Sequence, residues 1–256
     1  MPNRIQIISV DDFPIIHSGD NIAALIHLSL KKMNFMLEDK DLLVISHKIV
    51  SKAEGRIVKL ADITPSKESI KIAKKARKNP KIVELALNES LSIVKQVRSH
   101  LITETKQGWI YSYSGVDVSN VSGGDAAVLL PEDPDRSANE IRRAMENLTK
   151  TKLGIIISDT SGRPFRKGDI NIAIGVSGFK PVLDLRGKKD GFGYTLRMKR
   201  MALADELASA AELVIGQTNE LKPVAIIRGV DLILDEFADS DPLKKRREND
   251  IFIDRK

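Results

Sequence analysis

Residues 158–167 read SDTSGRPFRK, and nearly every position carries a functional group. Ser158, Asp159, Thr160 and Ser161 set one carboxylate and three hydroxyls side by side, an all-oxygen donor set that suits a hard cation. Gly162 and Pro164 turn the chain, after which Arg163, Arg166 and Lys167 supply cations of the kind that bind anionic oxygen. A hard-cation site beside an anion-attracting cluster is what a phosphate ester with its metal requires. Arg163 and Arg166 are therefore candidate catalytic groups, on charge alone. A polar turn whose charges are merely solvated satisfies the same spacing.

Other stretches carry similar groups. Residues 114–120, SGVDVSN, place Asp117 and Ser119 on one face of an extended chain and Val116 and Val118 on the other. Ser122-Gly123-Gly124-Asp125 follows as a flexible loop, suited to close backbone approach or to an ordinary turn. Ser46, His47, Lys48 and Lys52 come just after an apolar run, where lysines hold phosphate or open a solvated helix. Pro14-Ile15-Ile16-His17 forms a turn, and Gly216 precedes the exposed polar run Gln217-Thr218-Asn219-Glu220. The glycine-rich 186–193 loop is no P-loop, because neither Gly-Lys-Ser nor Gly-Lys-Thr follows; no G-x-G-x-x-G follows a strand. His27, alone within a helix, reads as a packed or surface residue.

Composition narrows the classes. The 256 residues are 42% hydrophobic and 30% charged, enough for one large domain or two modest ones. No run approaches membrane-spanning length and residues 1–10 lack a signal-peptide core, so no membrane partner and a cytoplasmic location are expected. Zero cysteines exclude disulfides, thiolate zinc and a cysteine nucleophile. A net charge of +6, spread along the chain, favours anionic ligands weakly.

Elements must hold these groups in place. Residues 153–157 form a short β-branched apolar run, a buried strand expected to stop at Ser158, and the carboxyl ends of such strands favour ligand sites. Further strands are expected at 5–10, 42–46, 126–130, 170–176, 182–185 and 224–227, with a hairpin pairing 101–104 with 109–113. Asp20 is expected to cap a helix over 21–33, with Ile22, Leu25, Ile26 and Ser29 on one face. Thr64-Pro65 and Asn79-Pro80 signal helices over 65–78 and 80–90. A Ser137/Glu140 capping box starts another, with Ile141, Ala144, Met145 and Leu148 as its apolar stripe. The last helix, over 196–213, turns Leu203, Leu207, Ala210, Ala211 and Val214 to one side and ends at Gly216. The tail from Asp235 reads as a peripheral helix or a mobile end. No repeat or linker marks a boundary.

Six segments occur in order: GDNIAALI, VISHKIVSKAEGR, SGVDVSNVSGGDAAVLLPEDPDRSA, ISDTSGRPFRKG with NIAIGVSG, DLRGKKDGFG and ADELASAAELVIGQTNE. On these the sequence resembles the coenzyme F-420:L-glutamate ligase family, the coenzyme F-420-0:γ-glutamyl ligases, over nearly the whole chain. Ser161 and Phe165 stand where the family varies; the acidic and amide positions are intact. The resemblance implies an α+β fold of two intertwined domains with mixed sheets, neither P-loop nor ATP-grasp. It implies one ligase unit over 1–256 and a homodimer. The implied reaction is GTP-dependent addition of L-glutamate, two in succession, to coenzyme F-420-0 through an acyl phosphate, with Mg²⁺ or Mn²⁺, two per subunit, and K⁺. By the same resemblance Asp117, Asp159, Thr160 and Gln217 are metal ligands, the two aspartates being catalytic. Asn120 and the turn of Pro14, Ile15, Ile16 and His17 contact the nucleotide, Lys52 with Ser46 or His47 approaches its phosphates, and Gly216, Thr218 and Glu220 complete that set.

Other classes make different demands. A nucleic-acid-binding protein would use the lysine row at 67–78 and bind oligonucleotides with steep salt dependence. No aromatic residue interleaves with that row, so the stacking platform of single-strand binders is missing, and a solvated face with no nucleic-acid partner is expected. A scaffold would leave Asp117 and Asp159 far apart. A ligase of the same fold acting on a different carboxylate would share every motif above.

Overall fold

The computed structural model describes residues 4–121 and 124–245. In chain order the strands and helices are β1 (Gln6–Ser9), α1 (Ile22–Lys32), β2 (Leu42–Ser46), α2 (His47–Ala53), β3 (Ile57–Lys59), α3 (Lys67–Ala76), α4 (Pro80–Asn88), β4 (Ser90–Val97), β5 (His100–Thr105), β6 (Ile110–Ser112), β7 (Ala126–Val128), α5 (Pro134–Thr149), β8 (Gly154–Ser161), β9 (Ile170–Phe179), β10 (Leu183–Asp184), β11 (Arg200–Met201), α6 (Leu203–Ile215), β12 (Val224–Arg228) and β13 (Leu234–Asp235). The fold is α+β.

Six strands form one mixed sheet in the order β1-β12-β2-β8-β9-β13. β2 and β8 run parallel, with Leu42 opposite Gly154 and Ser46 opposite Ser158; the other neighbours are antiparallel. Through 42–45, 154–157 and 224–227 the central strands carry no polar side chain because both faces are covered. Leu43, Ile45, Ile155 and Ile157 point towards α1 and α5, and the alternating Leu42, Val44 and Ile156 towards α6. The result is helix, sheet and helix in three layers. The first turn of α5 lies so close to β9 that a Cβ on Gly175 would sit 2.4 Å from the Pro134 carbonyl oxygen.

Along most of its length β9 has no strand partner on its outer side among the described residues, and side chains close that edge. The N–H groups of Asn171, Ala173 and Val176 donate to Glu212 (2.9 Å), Asp205 (3.0 Å) and Asp135 (2.8 Å). Two of these carboxylates come from α6 and one from α5. Unpaired sheet N–H groups are a template for stray strands, so the three acceptors remove a liability.

Between Arg56 and Leu129 the chain leaves this body to build a second unit: the β3–β7 ribbon, the sheet β4-β5-β6, and α3 with α4. The exit and return are stitched together, Leu129 N donating to Arg56 O at 3.0 Å and Arg56 Nε to Leu130 O at 3.1 Å. Trp109 and Tyr111, from the β5–β6 hairpin, reach back and are buried in the core beneath α1 and α5.

Several expected boundaries move for local reasons. Asn21, not Asp20, caps α1 by accepting from Ala24 N, while Asp20 accepts from His17 N. Ser66 rather than Thr64 caps α3; Asn79 caps α4 as expected. Asp133 accepts from Arg136 N and caps α5, so Pro134 becomes its first residue and Ser137 lies inside the helix; Glu140 pairs instead with Arg136. α6 begins at Leu203, because Arg200–Met201 pairs with Leu183–Asp184, and its buried face uses Ala204, Ala208 and Ile215 in place of Ala210 and Val214. β8 continues through Asp159 to Ser161, since those residues pair with β9. The strand Ser90–Val97 was not expected; its alternation is half masked by serine, lysine and glutamine. Residues 235–245 hold the end of β13 and a short 3-10 turn over Asp241–Leu243, not a helix of any length. The rest of the tail, and Ser122-Gly123 of the glycine loop, lie outside the described residues.

Candidate active site

The sheet's topology brings the scattered motifs to one end. Because β2 and β8 are parallel and in register, their carboxyl ends lie side by side, so His47 and Asp159 emerge as neighbours. Antiparallel β9 enters at that end, with Asn171 opposite Thr160. β12 starts there too, Pro223 O accepting from Ser46 N at 2.9 Å, which places the 216–223 turn alongside. β1 finishes there and delivers the Phe13–Ile16 turn. Together these segments line one cleft: Pro14, Ile15, Ile16, Ser46, His47, Lys48, Lys52, Asn120, Asp159, Thr160, Asn171, Gly216, Gln217, Thr218, Glu220 and Lys222 among them.

Asp159 is the buried acid of the cleft floor, 9% exposed. Its Oδ1 accepts from Thr160 N at 2.7 Å and lies 3.1 Å from His47 Nε2, without the alignment of a hydrogen bond. The Ser158 hydroxyl and the Tyr111 phenol nearby are buried without hydrogen-bond partners among the described residues. Burial raises the Tyr111 pKa, and the Asp159 charge raises it further. On the rim, Thr160 Oγ1 donates to Asn171 Oδ1 at 3.0 Å, and the Gln217 amide lies 3.1 Å from the same hydroxyl and 3.2 Å from Asn171 Oδ1. Glu212 receives the Gln217 NH₂ on one oxygen and Asn171 N on the other, and the amide oxygen of Gln217 lies 3.2 Å from Thr160 Oγ1, beside the NH₂. Gly216 makes this turn possible: its φ is +74° and a Cβ there would collide with Glu220. Glu220 binds back to Thr218 N and Oγ1, and acceptance from its own N–H and that of Thr218 lowers its pKa.

On the other wall stands α2, whose Lys48 and Lys52, four residues apart, face the same side. Lys48 Nζ lies 2.8 Å from Asp117 Oδ2. Burial alone would raise the Asp117 pKa, but the bonds from Lys48 and from Ser119 N outweigh it and the net shift is downward. Lys52 Nζ donates to Asn120 O at 2.8 Å; burial, then the charge of Lys48, lowers its pKa. Asp117 and Ser119 share a tight turn, Ser119 N donating to Asp117 Oδ1 at 2.7 Å, rather than the same face of an extended strand.

The two aspartates are thus gripped by consecutive residues of one helix, Asp159 by His47 and Asp117 by Lys48. Among the described residues no three carboxylate, imidazole or thiolate groups cluster as a ready metal cage. The donors that converge are one carboxylate, hydroxyls and amide oxygens, with the unpartnered Ser158 hydroxyl below them. That set fits Mg²⁺ or Mn²⁺ shared with substrate phosphates, a usual mode for Mg²⁺.

Not every sequence candidate faces the cleft. Arg163 and Arg166 are exposed on the β8–β9 turn and line no part of it. His17 turns to Asp20, its ring nitrogen 3.8 Å from the carboxylate. The lysines of α3 are exposed on the second unit, away from the cleft lining. Sequence reasoning left Asn171, Glu212, Lys222 and Tyr111 out of the site, and named Lys48 only as one of two lysines able to hold phosphate. Asn171 was legible as the polar interruption of an apolar strand; Tyr111 was not, because only the return of the hairpin into the core brings it near Asp159.

A family model described as F420-0:Gamma-glutamyl ligase matches residues 12–229. The chain belongs to that family. Among its curated relatives, the Coenzyme F420:L-glutamate ligase of Methanothermobacter thermautotrophicus is 43% identical over 249 residues, covering 97% of this chain and 98% of the relative. The protein of the same name from Methanocaldococcus jannaschii is also 43% identical, covering 97% of each chain. That of Methanosarcina mazei is 40% identical over 228 residues, 89% of this chain and 87% of the relative. The family match spans the whole lining of the cleft, from the Phe13 turn to Pro223. No helix among the described residues is long and apolar enough to cross a membrane.

Proposed function

We propose that this member of the F420-0:gamma-glutamyl ligase family joins L-glutamate in amide linkage to the carboxylate of coenzyme F-420-0. GTP activates the acceptor as an acyl phosphate, and Mg²⁺ or Mn²⁺ is required. The observation that carries the reading is the pairing of a cationic wall, Lys48 and Lys52, with the oxygen cluster of Asp159, Thr160, Asn171 and Gln217 across one cleft. A carboxylate is a poor acyl donor, and its conversion to an acyl phosphate needs the γ-phosphoryl group held in line while its charge is neutralised. Lys52 supplies a desolvated point charge for phosphate. Asp159, Thr160 and Gln217 would hold the cation, with Asp117 as a further ligand; bound there, the cation supplies Lewis-acid stabilisation of the phosphate oxygens. His47 Nε2 lies 3.1 Å from the Asp159 carboxylate, and the charge of Asp159 acts on the buried Tyr111 phenol.

The test is direct. The protein is incubated with coenzyme F-420-0, glutamate, Mn²⁺ and either GTP or ATP, and product mass is followed together with phosphate release. Mass increments of one and then two glutamates, with stoichiometric phosphate and GTP preferred, are expected. Hydroxylamine added in the absence of glutamate should trap the acceptor as its hydroxamate. Phosphate release without any adduct, or an adduct only with another carboxylate, would overturn the assignment. The active molecule is expected to be a homodimer, which light scattering in solution measures.

A further inference from the structure

We propose that Lys48 exchanges partners when nucleotide binds: its ammonium holds the Asp117 carboxylate until phosphate oxygens draw it away, and that release opens the carboxylate to a divalent cation. The proposal rests on the phosphoryl-transfer reading of the cleft and adds an order of assembly to it. Asp117 is fully engaged as it stands. Its Oδ2 meets Lys48 Nζ at 2.8 Å and Ser119 Oγ at 2.9 Å, and its Oδ1 accepts from Ser119 N at 2.7 Å. An ammonium in that position repels a second cation, so metal cannot join Asp117 while Lys48 stays.

Val116 packs on the second unit and the Asp117 backbone is bridged to Val128, but beyond Asp117 the segment is fastened by polar contacts. Lys48 Nζ also donates to Ser119 Oγ at 2.7 Å, Lys52 Nζ to Asn120 O at 2.8 Å, and Asn120 Nδ2 to Thr218 O at 3.0 Å. Val118, the apolar residue that follows Asp117, is 40% exposed. Both lysines line the cleft. A polyphosphate entering there offers each ammonium several charged oxygens in place of one carboxylate, hydroxyl or carbonyl. Asp117 then gains a cation exactly as it loses one, and nucleotide and metal strengthen each other's binding through the same side chain, a coupling that is reciprocal by linkage.

Mn²⁺ binding to the nucleotide-free protein, followed by the electron paramagnetic resonance of free Mn²⁺, tests this without turnover. Lys48→Met is expected to bind Mn²⁺ at least about tenfold more tightly than the natural protein, while its affinity for a non-hydrolysable GTP analogue falls. Lys48→Arg, which keeps the ion pair, is expected to match the natural protein, and adding Asp117→Asn to Lys48→Met should abolish the gain. Circular dichroism melts confirm that each variant is folded. Unchanged or weaker Mn²⁺ binding by folded Lys48→Met overturns the exchange. If Asp117→Asn alone leaves Mn²⁺ affinity unaltered in the presence of the analogue, the ligand reading of Asp117 fails instead.

Discussion

Asp159 illustrates how much a single carboxylate is asked to do here. It is nearly buried, it binds the backbone of the next residue, and it faces His47 Nε2 and the Tyr111 phenol, neither of which has a hydrogen-bond partner among the described residues. A buried charge survives only when it is compensated, and the hydrogen bond from Thr160 N with the His47 contact supplies part of that. Asp159→Asn keeps the size and the acceptor but removes the charge. Turnover is expected to fall by orders of magnitude, on the scale of roughly 3 kcal/mol of transition-state stabilisation, with the fold retained. Steady-state ligation across a Mn²⁺ series checks it: partial rescue by excess Mn²⁺ is the expected signature, and normal activity at low metal would return the residue to the role of a strand terminus. Of the residues named for chemistry, those on strand ends were legible from sequence, because an apolar run that turns polar marks its own carboxyl end. Arg163 and Arg166, named on charge alone, are exposed on the β8–β9 turn outside the cleft lining, since charge density in a turn says nothing about which way the turn faces.

At the scale of elements, apolar runs located the central sheet with little error, whereas helix starts other than that of α4 slipped by one to seven residues. The slips have two causes. Neighbouring candidates such as Asp20 and Asn21 offer alternative caps and tertiary contacts choose between them, whereas α6 is set back by the pairing of Arg200–Met201 with Leu183–Asp184. The outer edge of β9 was not legible at all, since its N–H groups are satisfied by α6 and α5 side chains distant in sequence. Asp205 is one of them, and burial, only partly offset by the Ala173 N–H, raises its pKa above 3.8. The sign follows. Between pH 3.8 and the raised value the folded chain binds more protons than the unfolded one, so the stability due to this group is full below pH 3.8 and is lost as pH rises through the folded value. Asp205→Asn preserves an acceptor without the charge. It is expected to leave stability at neutral pH unchanged or higher by up to about 1 kcal/mol, with the gain vanishing in acid. Melting temperatures from pH 3 to pH 8 measure this, and a clear loss at neutral pH would show that Ala173 needs the ionised form.

For the molecule as a whole, the decisive feature is that the second unit is attached in two ways: by the stitched crossing at Arg56 and Leu129, and by Trp109 and Tyr111 driven into the main core. No boundary could be drawn from the sequence, which has no composition change where the chain departs and returns. Units that share buried side chains lose stability together, so calorimetry is expected to show one cooperative unfolding transition rather than two. Two separated transitions would mean that the hairpin contributes little to holding the units together. The same anchor has an optical use. Trp109 is the one tryptophan in the chain, buried at the junction with the Lys244 ammonium 5.2 Å from the ring centre. Its fluorescence therefore samples a single place, the seam between the sheet and the unit that carries Asp117, and a shift of its emission to the red on adding nucleotide would register movement at that seam with no label attached.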